Sequence, residues 1–281
     1  MAGAIVSKAR FPALAKLAGP FGSLLRHADL AYQLTKREVV GRYRGSAMGL
    51  LWSLFYPVLM LSVYTFVFGH VFHSRWGADF GNPSNFALMA FSGMIVHGLF
   101  AECASRAPGL IVSNANFVKR VVFPLELLPW VALFAGLFHA LIGLGVLVLF
   151  NLMLGNSLSW TVLLFPLILL PFACFVVGVV WLLASLGVYL RDLGQIVGVV
   201  VTVAMFLSPM FYPVSALPSR LQTAMLINPL TFPMEQLRAV MITGTPPDWH
   251  GLAIYAICSL GVAWLGFSVF QRLRKGFADV L

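Results

Sequence analysis

The sequence predicts an all-α integral membrane protein. It would have six transmembrane helices, an N-terminal amphipathic interface helix and two short re-entrant helices between spans 5 and 6, all in one transmembrane domain over residues 1–281. Three observations carry this reading. The chain is 60% hydrophobic and 10% charged, with a mean hydropathy of +0.92, whereas soluble domains are roughly a quarter charged. Its apolar residues gather in stretches near the ~20 residues that cross a hydrocarbon core. Its cations collect on the segments that would share one side of the membrane.

The spans read as 48–72, 85–108, 125–152, 160–190, 194–211 and 249–270. Pro57 marks a kink in the first. Glu102 and Arg106 fall near the inner end of the second, acid before base at i, i+4, the favourable order for a helical ion pair. Arg106 could instead pair with Glu126. No residue from Leu127 to Leu190 is charged. That run is too long for one crossing, and Asn151, Asn156, Ser157 and Ser159 divide it in two.

With the N-terminus inside, all eighteen Lys and Arg except Arg75, Arg220 and Arg238 fall on inner segments. The excess of cations on cytoplasmic flanks places both termini in the cytoplasm. Lys8, Arg10 and Lys16 interrupt the first apolar residues, so no signal-peptide core forms there. The net charge of +9 is therefore a membrane-flank signature, and nucleic-acid binding is not expected. Cys103, Cys174 and Cys258 have no paired spacing and read as buried small hydrophobes.

Residues 24–44 form a separate basic helix. Leu25, Tyr32, Val39 and Tyr43 keep near one side, with Ala28 beside them and Arg37 and Arg44 away from it. Such a helix lies in the interface with its cations toward headgroups. The segment 214–243 is too apolar for a solvated loop and too short to cross. Ser208-Pro209-Met210-Phe211-Tyr212-Pro213 stops the fifth span, since proline donates no backbone hydrogen bond. Residues 218–227 and 232–242 then read as helices, with Thr231 an N-cap and Gly244 a stop.

Enzymatic motifs are missing. No Gly-Lys dipeptide occurs, so the phosphate-cradling loop of ATPases is absent. His70 and His73 lack a carboxylate neighbour and do not read as a metal site. The nine acids are scattered, which leaves a multispan membrane transferase as a distant reading. His97 and His139 lie within spans and read as neutral rings bonded between helices. Trp52, Tyr56, Tyr64, Phe68 and Phe72 recur at four- or eight-residue steps, and Phe206, Phe211 and Tyr212 end the fifth span. These rings suit either contact with sugar faces or the membrane interface.

Between two uncharged stretches stands a small basic, apolar island: Asn116, Phe117, Val118, Lys119, Arg120, Val121, Val122, Phe123 and Pro124. It suits docking into a groove of another protein through an aromatic anchor. An ordinary interfacial loop would read the same way.

Five segments in order resemble the membrane subunit of type-2 ABC transporters that export bacterial polysaccharides. They are Arg42-Tyr43-Arg44-Gly45-Ser46 running into Leu50-Leu51-Trp52; Asn116 to Pro129; Tyr189 to Leu193; Ser208 to Pro213; and Asn228-Pro229-Leu230-Thr231 leading to Glu235 and Arg238. The resemblance spans about Leu30 to Lys275. It implies an inner-membrane homodimer bound to two separate ATPase subunits that hold ATP and Mg, with no cofactor, metal or catalytic residue in this chain. Residues 113–123 would be the coupling helix, with Asn116, Phe117, Val118, Lys119 and Arg120 against the ATPase. Arg191 and Asp192 would form a second contact. The cargo would be a lipid-linked polysaccharide, O-antigen first and capsule next; teichoic acid, small drugs or lipids are the alternatives. Lys36, Arg37, Arg42 and Arg44 would attract its pyrophosphate. Trp52, Tyr56, Tyr64, Phe68, Phe206, Phe211 and Tyr212 would line the glycan's path.

Overall fold

The computed structural model describes residues 19–67, 83–118 and 123–281, and no strand occurs among them. The chain runs through α1 (Pro20–Arg26), α2 (Ala28–Tyr43), α3 (Trp52–Tyr64), α4 (Pro83–Arg106), α5 (Ala115–Val118), α6 (Leu127–Met153), α7 (Phe165–Gly187), α8 (Leu193–Leu207), α9 (Ser219–Met225), α10 (Thr231–Arg238), α11 (Trp249–Leu273) and α12 (Phe277–Val280). His70, His73, Phe68, Phe72, Lys119 and Arg120 lie outside the described residues.

Among the described residues, five helical stretches are long and apolar enough to cross a membrane: Gly49–Val67, Asn85–Gly109, Leu127–Met153, Trp160–Gly187 and Trp249–Val280. The expected fifth span is shorter than predicted. α8 stops at Leu207 because Ser208 turns extended (φ −100°, ψ 152°) ahead of Pro209. Its fifteen residues rise about 22 Å, short of a hydrocarbon core of about 30 Å.

Helix α4 is the axis of the bundle. Ala87, Leu88, Ala90, Phe91, Val96, Leu99 and Cys103 are all buried, and α6, α7, α8, α10 and α3 pack round it. Helices α7 and α11 make the most extensive pairing. Their approach depends on missing side chains. A Cβ at Gly266 would overlap the backbone of Gly178, and one at Gly178 would fall 2.7 Å from the backbone of Ala263. Hydrocarbon offers apolar helices no drive to associate beyond packing, so small residues that let backbones touch carry the contact. Trp181 closes the crossing, edge-on to both Trp130 (5.4 Å) and Phe267 (5.2 Å).

The predicted interface helix departs from its sequence reading in two ways. His27 (φ −122°, ψ 34°) breaks it into α1 and α2. The buried face of α2 carries Ala31, Leu34 and Val39, while Ala28 is exposed and Tyr32 is 69% exposed. Of the inferred stripe, Val39 thus faces the protein, whereas Ala28 and Tyr32 point away from the bundle. α2 packs on α6, so protein contacts set its rotation. Gly45 (φ 87°) then reverses the chain into the first span, a backbone conformation that a side chain would strain.

The segment 214–243 holds α9, α10 and a single π-turn over Ala239–Thr243. Gly244 ends it in the left-handed region (φ 72°), as its sequence suggested. Thr231 is not the N-cap. Leu230 holds that position, and the Asn228 side chain accepts from the Leu230 N–H at 2.9 Å. Of the cysteines, only Cys103 is buried; Cys174 is intermediate and Cys258 exposed.

If the backbone approach holds α7 against α11, Gly266→Leu costs about 3 kcal/mol. It should sharply lower the melting temperature in detergent, whereas Gly261→Leu on the same helix, with nothing within 4 Å of its Cβ, leaves it unchanged.

Candidate functional site: a polar-mouthed cavity along α4

Glu102 is the charge that organises one end of the bundle. Arg42 of α2 pairs with it at 2.7 Å, Arg106 approaches at 3.8 Å and His139 of α6 stands at 3.0 Å. A carboxylate only accepts hydrogen bonds, so His139 donates Nδ1–H to it. Nε2 of the ring then accepts from the Tyr43 hydroxyl at 2.9 Å. Burial pushes the Tyr43 phenol above its ordinary value, opposed by Arg42 and reinforced by Glu102, which keeps it a donor. Arg106 also pairs with Glu38 of α2. The expected Glu102–Arg106 pair is thus one edge of a network joining α2, α4 and α6.

The alternative partner, Glu126, is taken elsewhere. It accepts from Arg274 at 2.6 Å and from Ser23 at 3.1 Å. Arg274 also donates to the Phe123 carbonyl at 3.4 Å, and Trp181 donates to the Glu126 carbonyl at 3.2 Å. This cluster ties the C-terminal tail and α1 to the root of α6.

From the Glu102 network a cavity of about 610 Å³ runs between α3, α4 and α6 toward Met205 and Met210. Arg42, Tyr43, Glu102 and His139 line its polar end; Trp52, Tyr56 and Tyr64 line its α3 wall. Gly98, Gly136 and Gly143 keep the facing walls low. Such a volume, mostly apolar with a few convergent polar groups, is the usual form of a ligand pocket.

The sequence-selected residues are distributed unequally around it. Trp52, Tyr56 and Tyr64 come together at the cavity. Phe211 packs edge-on to Tyr64 (5.9 Å) from behind, and Tyr212 donates to the Phe206 carbonyl, tying down the end of α8. Phe206 is 63% exposed and lines none of the cavity. Of the four candidate cations, Arg42 alone lines the cavity. Arg37 lies over the Phe117 ring (6.0 Å), and Lys36 and Arg44 are exposed. His97 bonds the Val201 carbonyl at 3.1 Å, joining α4 to α8, as expected of a structural ring. His139 does more than that: it sits at the cavity mouth. Tyr43, Glu38 and His139 were missed as a group. The available signal was an acid on the inner side of a basic helix, matched to an arginine inside an apolar span.

In and just before the segment 113–123, Val112–Asn114 and α5 are helical. Phe117 is partly buried, stacked on Phe123 at 4.3 Å and 12°. Val112, Ser113 and Asn116 are the exposed side chains among its described residues, and Val118 packs on the core. Arg191 and Asp192 are exposed at the start of α8.

The opposite end of α4, about 20 Å away by helical rise, is fastened by Arg238. It is 3% exposed and donates to the carbonyls of Met89 (3.0 Å) and Met210 (3.1 Å) and to Glu235 (3.0 Å). Asn228 donates to the Leu207 carbonyl (3.1 Å) and the Ser208 hydroxyl (2.9 Å). Carbonyls left open where α8 breaks are thereby satisfied.

Removing Glu102 leaves three donors facing one another. Glu102→Ala should cost about 2 kcal/mol, between the values for buried and exposed pairs. Arg42→Glu alone should destabilise similarly, and Arg42→Glu with Glu102→Arg should recover part of the loss in thermal melts.

Relatives share this frame. The chain is 27% identical over 258 residues to the O-antigen export system permease protein RfbA of Myxococcus xanthus, covering 91% of this chain and 96% of that protein. It is 26% identical over 255 residues to a protein of the same name from Klebsiella pneumoniae, covering 90% and 95%. The family model described as ABC-2 type transporter matches residues 30–242. That match takes in α2, the cavity, the coupling segment and the Arg238 clamp, and the chain belongs to the ABC-2 type transporter family.

Proposed function

We propose that this chain is the transmembrane subunit of an ATP-driven exporter that moves a lipid-linked polysaccharide, O-antigen in the first instance, across the bacterial cytoplasmic membrane. The observation that carries the proposal is the cavity: an arginine at its mouth, aromatic rings on one wall and glycines opposite. The names of the relatives supply the cargo class. In this reading α8 and the Ser208–Pro213 turn together make the fifth of six crossings. Both termini are cytoplasmic, and α9 and α10 re-enter from the outer side.

The chemistry follows from the network. A pyrophosphate-linked lipid competes with Glu102 for Arg42, whose planar fork matches phosphate as well as carboxylate. When Arg42 turns to the phosphate, Glu102 keeps His139 and Arg106 as partners, so no carboxylate is stranded. The glycan then follows along Trp52, Tyr56 and Tyr64, whose rings face sugar without charges that would arrest it. A second copy of the chain completes the path. α3 and α8 suit that interface, because both leave apolar side chains exposed: Leu54, Phe55 and Val58 on α3, and Ile196, Val199 and Val203 on α8. ATP and Mg bind in separate ATPase subunits that grip residues 113–123 and Arg191-Asp192.

Proteoliposomes carrying the permease and its ATPase, supplied with lipid-linked glycan, test this reading. Gly98 lines the cavity, and a Cβ there meets nothing within 4 Å. Gly98→Trp should therefore fill the path, abolishing ATP-dependent export while leaving melting temperature and ATPase co-purification unchanged. Export at the wild-type rate would sink the proposal. Lys119→Glu with Arg120→Glu should give the converse result, a folded permease that no longer co-purifies with the ATPase.

A further inference from the structure

A second cavity, of about 730 Å³, lies between α10 and α11 and shares no lining residue with the first. We infer that it binds a phospholipid bearing a primary ammonium, of the phosphatidylethanolamine kind, with the headgroup inside and an acyl chain along α11. Its outer wall is aliphatic and open: Leu226 is 79% exposed, Ile227 84% and Ile254 63%. Such a surface beside a long apolar helix faces lipid tails rather than water.

The two carboxylates of this cavity, Asp248 and Glu235, can only accept hydrogen bonds, and they share its lining with the hydroxyls of Thr231 and Ser259, which accept as well as donate. Asp248 stands at the N-cap of α11, but its carboxylate makes no capping hydrogen bond. It has no ion pair among the described residues. Glu235 gives one carboxylate oxygen to Arg238, which is itself turned to the Met89 and Met210 carbonyls. The Thr231 hydroxyl is buried, lines the cavity and has no hydrogen-bond partner among the described residues. A buried polar atom of this kind calls for a ligand or water.

An aromatic surface adjoins these acceptors. Phe232 and Tyr255 stack at 5.3 Å. Gly251 has no side chain, and a Cβ there would meet the Phe232 ring at 2.5 Å and Asp248 Oδ2 at 2.6 Å. Carboxylate and ring are thus held side by side. A cation over such a ring, beside an unpaired acid, is doubly favoured. A primary ammonium brings one positive charge and three N–H donors to Asp248, Glu235 and Thr231. A trimethylammonium brings the charge without the donors, and an anionic headgroup meets two carboxylates.

Native mass spectrometry of the permease alone, offered equal amounts of dioleoyl phosphatidylethanolamine, phosphatidylcholine and phosphatidylglycerol, decides the matter. Phosphatidylethanolamine should be retained roughly tenfold over either other lipid, the ratio expected of one charge-assisted hydrogen bond. Asp248→Asn should remove the preference. Cys258→Trp, which fills the lipid-side wall, should lower retention of all three. Equal retention of the ethanolamine and choline lipids, a preference for the glycerol lipid, or an Asp248→Asn variant with unchanged selectivity would overturn the assignment. Should Asp248→Asn not fold, the wild-type selectivity and the Cys258→Trp result are sufficient. The measurement uses neither ATPase nor glycan, so its failure is distinct from failure of the export reading.

Discussion

The need to neutralise Glu102 shapes one whole end of the molecule. A carboxylate within an apolar span is costly unless it is paired and hydrogen-bonded. Here the partners come from three helices: Arg42 from α2, Arg106 from α4 and His139 from α6. α2 cannot rotate to face lipid without stranding Glu38, which Arg106 holds. Amphipathicity alone would have laid this helix on the membrane surface. Charge pairing, with Ala31, Leu34 and Val39 packed beneath, also docks it on α6.

The same constraint governs the opposite end, with backbone groups in place of side-chain charges. Ser208-Pro209 breaks α8 within an apolar region, and irregular backbone there survives only where protein satisfies it. Arg238 and Asn228 do so from the segment between α8 and α11, through the carbonyls of Met210 and Leu207. Motifs separate in sequence, Ser208–Pro213 and Asn228–Arg238, are therefore one structural unit. Gly93 lacks a side chain because the Arg238 guanidinium occupies that space: a Cβ would fall 2.7 Å from it.

Helices and their order were legible because hydropathy and proline report directly on burial and on backbone hydrogen bonding. The end of α8 was placed at 211 rather than 207 because Met210 and Phe211 are apolar, though no longer helical. Which side of α2 meets protein was not legible, for a different reason. Tyr32 and Ala31 are both compatible with a buried face, and only the surface of α6 chooses between them. At the cavity, Trp52, Tyr56 and Tyr64 were found by their spacing. Phe206 shared their chemistry but not their direction, which depends on how α8 packs. His139 looked ordinary in sequence because its partners lie 37 and 96 residues away.

The basic island also changes meaning. Phe117 is no isolated knob, since it stacks on Phe123 and lies under Arg37 of α2. Phe123 in turn is held by Arg274, which holds Glu126. A partner gripping this segment would therefore meet α2 at Arg37 and α6 at Glu126. Arg42, on the same helix as Arg37, contacts Glu102 at the cavity mouth. Spatial continuity by itself does not establish coupling. At its cavity end α2 is held both by exchangeable ion pairs and by the buried Val39. Ion pairs can trade partners without leaving a void, while the buried Val39 keeps α2 seated on the bundle as they do so.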